Sequence, residues 1–171
     1  TSVSRGLGDV YKRQFIDKTS IFQTRPKYSN EGKKEILHNF FENKKIGQSL
    51  KPVVVTAYDL EARKPILLSS YGDPEVTAVQ AANASSAAPI YFPTASMEDG
   101  RWLIDGGIAT NNPSLLGYIE AKKIFSTNNI KVLGIGAGLN KRKISGKNSR
   151  NWGALGWLRH DILGIMLESS L

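Results

Sequence analysis

Leu103-Ile104-Asp105-Gly106-Gly107, with Asn111-Asn112-Pro113 shortly after it, is the stretch on which the reading of the fold turns. Trp102-Leu103-Ile104 has the pattern of a short strand that runs straight into an acid. An acid directly after a buried strand stands at the strand's end, where open α/β sheets place their active sites. The two glycines remove side chains beside it, so a substrate or a second loop can approach the backbone. Asn112-Pro113-Ser114 reads as a helix start, asparagine capping and proline at the first helical position. The positive end of such a helix favours an ionised carboxylate nearby. A carboxylate fixed in this way can take a proton from a serine hydroxyl directly. The same string also describes a plain strand-to-helix turn with a capping aspartate, so Asp-Gly-Gly alone decides nothing.

Working outward, Asn30 to Lys45 predicts an amphipathic helix. Asn30 is its candidate cap, and Ile36, Leu37, Phe40 and Phe41 form the apolar stripe. Pro52 introduces Val53-Val54-Val55-Thr56-Ala57-Tyr58, a continuous apolar, β-branched run expected as a buried strand. A polar turn over Asp59 to Pro65 leads to a second strand, Ile66 to Ser70. The alanine-rich Val76 to Ala88 predicts a helix that ends before Pro89. Beyond Asn112 the helix continues through Leu115, Leu116, Ile119 and Ile124-Phe125. Ile130 to Ile135 predicts a strand, and a last helix starts near Gly153. Strands alternating with helices argue for a layered α/β domain.

Ala81-Ala82-Asn83-Ala84-Ser85-Ser86-Ala87-Ala88-Pro89-Ile90-Tyr91-Phe92-Pro93 lies just upstream of the Asp-Gly-Gly segment. Taken together, the two resemble the patatin-like phospholipases. That family shows a small-residue helix ending in Ser-Ala-Ala-Pro, an aromatic-Phe-Pro, then Asp-Gly-Gly or Asp-Gly-Ala and Asn-Asn-Pro. Arg25-Pro26-Lys27-Tyr28, the Val53 to Leu60 strand, Val132 to Gly138, Trp152-Gly153 and Trp157-Leu158 are further similarities. The resemblance covers Phe15 to Leu171. It implies a three-layer α/β/α fold and a serine acyl hydrolase acting on lipid esters. In it Asp105 is the base partner of a nucleophilic serine, and Gly106 and Gly107 complete its motif. Ser85-Ser86 and Pro89 match a packing segment. No cofactor and no metal are implied for such a dyad.

The chain departs from the family pattern in one respect. It contains neither a Gly-x-Ser-x-Gly nucleophile elbow nor a glycine-rich oxyanion loop. Gly47-Gln48-Ser49 is the nearest string, but Leu50-Lys51 follow it, and Ser49 is given no role. The missing parts are expected upstream of Phe15. Thr1 to Gln14 shows neither helical nor strand periodicity, resembles translated adapter sequence, and is set aside as a non-native or disordered leader. At the other end Ile162 to Leu167 is still helical in pattern where the chain stops, with no cap after it. The expectation is therefore a partial patatin-like domain over 15–171, truncated at both ends. A catalytically inactive lipid-binding or regulatory module with the same fold is the alternative. A subunit switched on by a partner or nucleotide is a third.

The 171 residues carry no cysteine, which excludes disulfides, thiolate metal sites and cysteine nucleophiles, and which fits a cytoplasmic origin. The net charge of +8 favours an anionic partner such as a lipid surface. Lys33-Lys34 with Lys44-Lys45, and Lys141-Arg142-Lys143 with Lys147 and Arg150, read as solvated runs. Without interleaved aromatics they do not point to nucleic acid. The expected partner is a lipid ester, met in transient association with a membrane surface. The apolar tail from Trp152 is interrupted by Arg159, His160 and Asp161, against a span of about 20 apolar residues.

Other candidates are weaker. Gly134-Ile135-Gly136-Ala137-Gly138 lacks the third glycine of a dinucleotide fingerprint at the right offset and is followed by a basic loop. It is read as a tight turn near the site. His38 and His160 are far apart and read as structural. Asn83-Ala84-Ser85 is a formal glycosylation sequon inside a presumed packed helix. Asp59 and Asp73 sit where turns want aspartate. Trp152, Trp157, Leu158, Ile162 and Met166 are read as a core helix covering the sheet, with a lipid-facing surface as the other option.

Overall fold

The computed structural model describes residues 25–136, 138, 143–160 and 162–168. The reading of 1–14 as a leader lies outside them. The chain divides into two compact units, one up to Ala109 and one from Thr110.

The first unit is built on a four-stranded antiparallel sheet of strand order β2-β1-β4-β3. β1 (Val54–Asp59) and β2 (Lys64–Ser69) form a hairpin with Val54 opposite Ser69 and Asp59 opposite Lys64. The turn between them is shaped by Asp59, whose Oδ1 accepts the Glu61 and Ala62 N–H groups at 3.0 and 2.9 Å. Pro65 is tolerated because β2 is an edge strand. β4 (Trp102–Asp105) runs along the other side of β1, with Ala57 opposite Asp105 and Asp59 opposite Leu103. The short β3 (Ala95–Ser96) closes the far edge.

Two helices accompany the sheet, α1 (Glu31–Phe41) and α2 (Ala78–Ser85), with α2 against β1 and β4 and α1 against α2. Alanine is what lets α2 sit so close. Ala81, Ala84 and Ala87 join Ala57, Leu68, Ala95, Met97, Leu103 and Ile46 in one buried cluster. Thr77 starts α2 with a reciprocal capping box: its Oγ1 accepts the Gln80 N–H at 3.1 Å, and Gln80 Oε1 accepts the Thr77 N–H at 3.1 Å.

The predicted α/β class and both helices of this unit are present, with some differences. Asn30 stands at the N-cap of α1 but makes no capping hydrogen bond, because its backbone is already helical (φ −86°, ψ −10°). A cap needs extended backbone to swing its oxygen onto the next turn. The stripe on α1 is incompletely covered, Phe40 being 58% exposed. β1, expected to be buried throughout, is buried only at Ala57 and Asp59, on alternate positions.

In the second unit α3 (Ser114–Phe125) follows the Asn-Asn-Pro string. Pro113 sits one position earlier than expected, at the cap, and Asn112 Oδ1 accepts the Ser114 N–H at 3.1 Å. Ile130 to Ile135 is not a strand: its residues pair with no neighbouring strand, and Leu133 and Ile135 are more than four-fifths exposed. The expected last helix is divided into α5 (Ala154–Arg159) and α6 (Ile162–Glu168), preceded by the single turn α4 (Gly146–Ser149). Trp152 packs edge-on against Trp157 and stacks on His160 at 3.9 Å, while Leu158 and Met166 stay exposed.

Candidate active site

Asp105 is the last residue of β4 and the cap of a 3₁₀ turn over Gly106–Ile108. One carboxylate oxygen, Oδ1, accepts the Gly107 N–H at 2.8 Å, and the backbone N–H of Asp105 donates to the Ala87 carbonyl at 3.2 Å. The acid is thus held by two segments, the glycine turn behind it and the end of α2 beside it. Gly106 is buried flat against β1, where any Cβ would collide with the carbonyl and hydroxyl of Thr56. The body that approaches this glycine is the protein's own strand, a tighter demand than the open access inferred from sequence.

The end of α2 continues into a bent loop. Ile90 holds a left-handed backbone, φ 72°, which is costly for a β-branched residue. The loop is pinned by the segment before α1: Lys27 and Tyr28 donate backbone N–H groups to the carbonyls of Ile90 and Tyr91, both at 2.8 Å. Tyr28 also packs on the Tyr91 and Phe92 rings at 6.3 and 5.5 Å. Lys27 and Tyr28 and the Ile90 to Phe92 stretch, far apart in sequence, are therefore joined.

Sequence reasoning missed Lys33, taken for part of a solvated run. Its Nζ donates to the carbonyls of Asn83 and Ser86, each at 3.3 Å, and lies 4.3 Å from the Phe92 ring centre. Burial pushes its pKa down to about 8, with the Asp105 charge pulling the other way and Lys34 adding to the depression. Burial likewise raises the Asp105 carboxyl above the usual range, opposed by the Gly107 N–H and by Lys33. Asn83 is buried, and its Oδ1 finds no hydrogen-bond partner among the described residues. A glycan has no access at that position.

The remaining candidates hold structural positions. Ser49 is exposed and its hydroxyl donates to the Lys51 carbonyl at 2.7 Å. Asp73 Oδ2 accepts the Ser69 N–H at 3.1 Å. His38 is exposed. Gly134 to Gly136 carry no regular structure and are exposed. No described helix is long and apolar enough to cross a membrane.

Asp105 is thus a half-buried acid at a strand end, fixed by a glycine-turn amide beside a small-residue helix. The sequence model of the family "Patatin-like phospholipase" matches residues 6–116. Patatin-like protein 1 of Arabidopsis thaliana is 32% identical over 85% of this chain and 43% of its own length. Patatin-like protein 2 of the same plant is 32% identical over 81% of this chain and 41% of its own. Patatin-11 of Solanum tuberosum is 25% identical over 78% and 42%. The chain thus spans less than half the length of these relatives. On the family match and the identity to the Arabidopsis proteins, this chain belongs to the patatin-like phospholipase family.

Proposed function

We propose that this chain forms part of a lipid acyl hydrolase in which Asp105 is the base of a serine–aspartate dyad. The nucleophilic serine comes from a segment of the parent protein outside these residues. The observation that carries the reading is the Asp105 carboxylate itself. It is half-buried at the end of β4, with Oδ1 fixed by the Gly107 N–H. Fixing one oxygen orients the other, and partial burial makes the carboxylate a better proton acceptor than one in water.

In the reaction, the serine oxygen attacks the ester carbonyl and its proton passes to Asp105. Backbone amides hold the oxyanion. The proton then goes to the departing alcohol, and water releases the acyl group by the same route. The substrate is a lipid ester, met in the cytoplasm by transient association with a membrane surface, to which a net charge of +8 contributes attraction.

The test is to express the longer reading frame that supplies a Gly-x-Ser-x-Gly segment and assay release of fatty acid from phospholipid vesicles. Asp105→Asn is expected to lower turnover by ~10²–10⁴-fold, the usual contribution of a positioned base. Turnover unchanged in Asp105→Asn would remove Asp105 from the chemistry. Vesicle binding without turnover in the unaltered protein would favour the inactive lipid-binding module.

A further inference from the structure

The dyad mechanism makes no use of Lys33, yet the fold ties it to the same piece of backbone as the acid. Its ammonium leaves α1 and donates to two carbonyls at the C-terminal end of α2, those of Asn83 and the capping residue Ser86. Helix C-terminal carbonyls favour a cation, so the latch has a direct electrostatic reason. One residue beyond Ser86, the Ala87 carbonyl accepts the Asp105 N–H. The same short piece of backbone therefore grips the lysine on one side and the aspartate on the other.

We propose that Lys33 is a positioning residue of Asp105: an ammonium latched to the Asn83 and Ser86 carbonyls that fixes the end of α2 on which the Asp105 N–H is held, and that supplies the counter-charge of the carboxylate. The proposal rests on the reading of Asp105 as the base. Lys33 touches no substrate and carries no proton in the reaction; the serine proton still goes to Asp105.

The other charged groups around the pair are otherwise engaged. Lys34, next on α1, opposes the charge on Lys33. α2 carries no ionisable side chain. On β1, Asp59 is taken up by the turn amides of Glu61 and Ala62. Arg101, ahead of β4, pairs with Asp99 and Asp73. Lys27 lies over the Tyr28 and Tyr91 rings at 5.4 Å. Lys33 is left as the counter-charge of Asp105 among the described residues, and each appears in the electrostatics of the other.

The pair makes a readout that needs no activity. Carbon-13 NMR titration of the 171-residue chain, following Asp105 Cγ and Lys33 Cε, is expected to show the Asp105 signal inflecting a second time. That inflection coincides with the Lys33 midpoint, at about 8. Lys33→Met is expected to abolish the second inflection and shift the Asp105 midpoint upward. Lys33→Arg, which keeps the charge, holds the midpoint down and shows no inflection near that pH. A merely structural lysine would give no shared inflection. Its absence in the unaltered chain overturns the proposal, whether or not Lys33→Met folds. An unmoved Asp105 midpoint in a folded Lys33→Met chain overturns it equally. Because no turnover is measured, failure here is separable from failure of the hydrolase reading, which Asp105→Asn turnover alone decides.

Discussion

Gly106 lies against the backbone of Thr56 so closely that a Cβ at position 106 would occupy the space of the Thr56 carbonyl group and Oγ1. The obstacle is mainly backbone of a central strand, which cannot rotate away as a side chain would. Gly106→Ala is therefore expected to destabilise the chain at the upper end of the overpacking range, about 1–3 kcal/mol. Gly117, in the middle of α3, has nothing near its virtual Cβ. Gly117→Ala should instead stabilise by ~0.5–1 kcal/mol, since glycine inside a helix costs that much relative to alanine. Urea unfolding of the two variants checks both signs, and an unaffected Gly106→Ala midpoint would refute the packing argument.

A second expectation concerns how α2 begins. Thr77 and Gln80 exchange side-chain and backbone hydrogen bonds across the first turn. Thr77→Ala removes the acceptor for the Gln80 amide and is expected to cost ~1 kcal/mol. Because Ser86 and Ala87 at the other end of α2 hold Lys33 and Asp105, fraying should also reach the site. Faster amide exchange at Asp105 in Thr77→Ala is the measurement.

How much of this could be read from residues alone follows from the range of each interaction. The β1–β2 hairpin, α1 and α2 are set by local pattern, and all appear within a few residues of the expected bounds. The Thr77-x-x-Gln80 box is equally local, a signal within four residues. Lys33 was not legible. Its partners lie 50 and 53 residues away and are carbonyls, which leave no mark in side-chain chemistry. A Lys-Lys pair on a helix is otherwise indistinguishable from a solvated face. Ile130 to Ile135 failed for the opposite reason. Its apolar, β-branched pattern is a strand signal, but a strand exists only where another supplies its ladder of hydrogen bonds. The described part of the second unit holds none.

Lys33 also gives the pH dependence of stability a definite sign. Its folded pKa, about 8, lies below the ordinary value of 10.5. The unfolded chain thus binds more protons between those values, and stability rises with pH across that window. The cost of holding the charge half-buried is present below about 8 and is relieved as the proton leaves. Denaturant midpoints of the unaltered chain should climb between about 8 and 10.5 relative to those of Lys33→Met. Parallel pH profiles for the two chains would show that Lys33 titrates normally.

If Asp105 is the base proposed above, it should show the separation of stability from activity expected of a group placed against its own preference. Burial is the largest influence on its carboxyl and raises the pKa, so the folded state holds the proton more tightly than the unfolded state does. For an acid, that means the ionised side chain costs stability, a cost that appears as pH rises from the ordinary carboxylate value through the raised one. Asp105→Asn removes the charge but keeps an oxygen to accept the Gly107 N–H. It gives up the attraction of Lys33, a smaller influence than burial. The variant is therefore expected to be at least as stable as the unaltered chain at neutral pH. The difference should close below the usual carboxylate range, where both carry a neutral side chain. Urea midpoints of the two chains at acid and neutral pH give the comparison. A variant clearly less stable at neutral pH would mean that the ionised carboxylate helps hold the fold together, as a purely structural cap would.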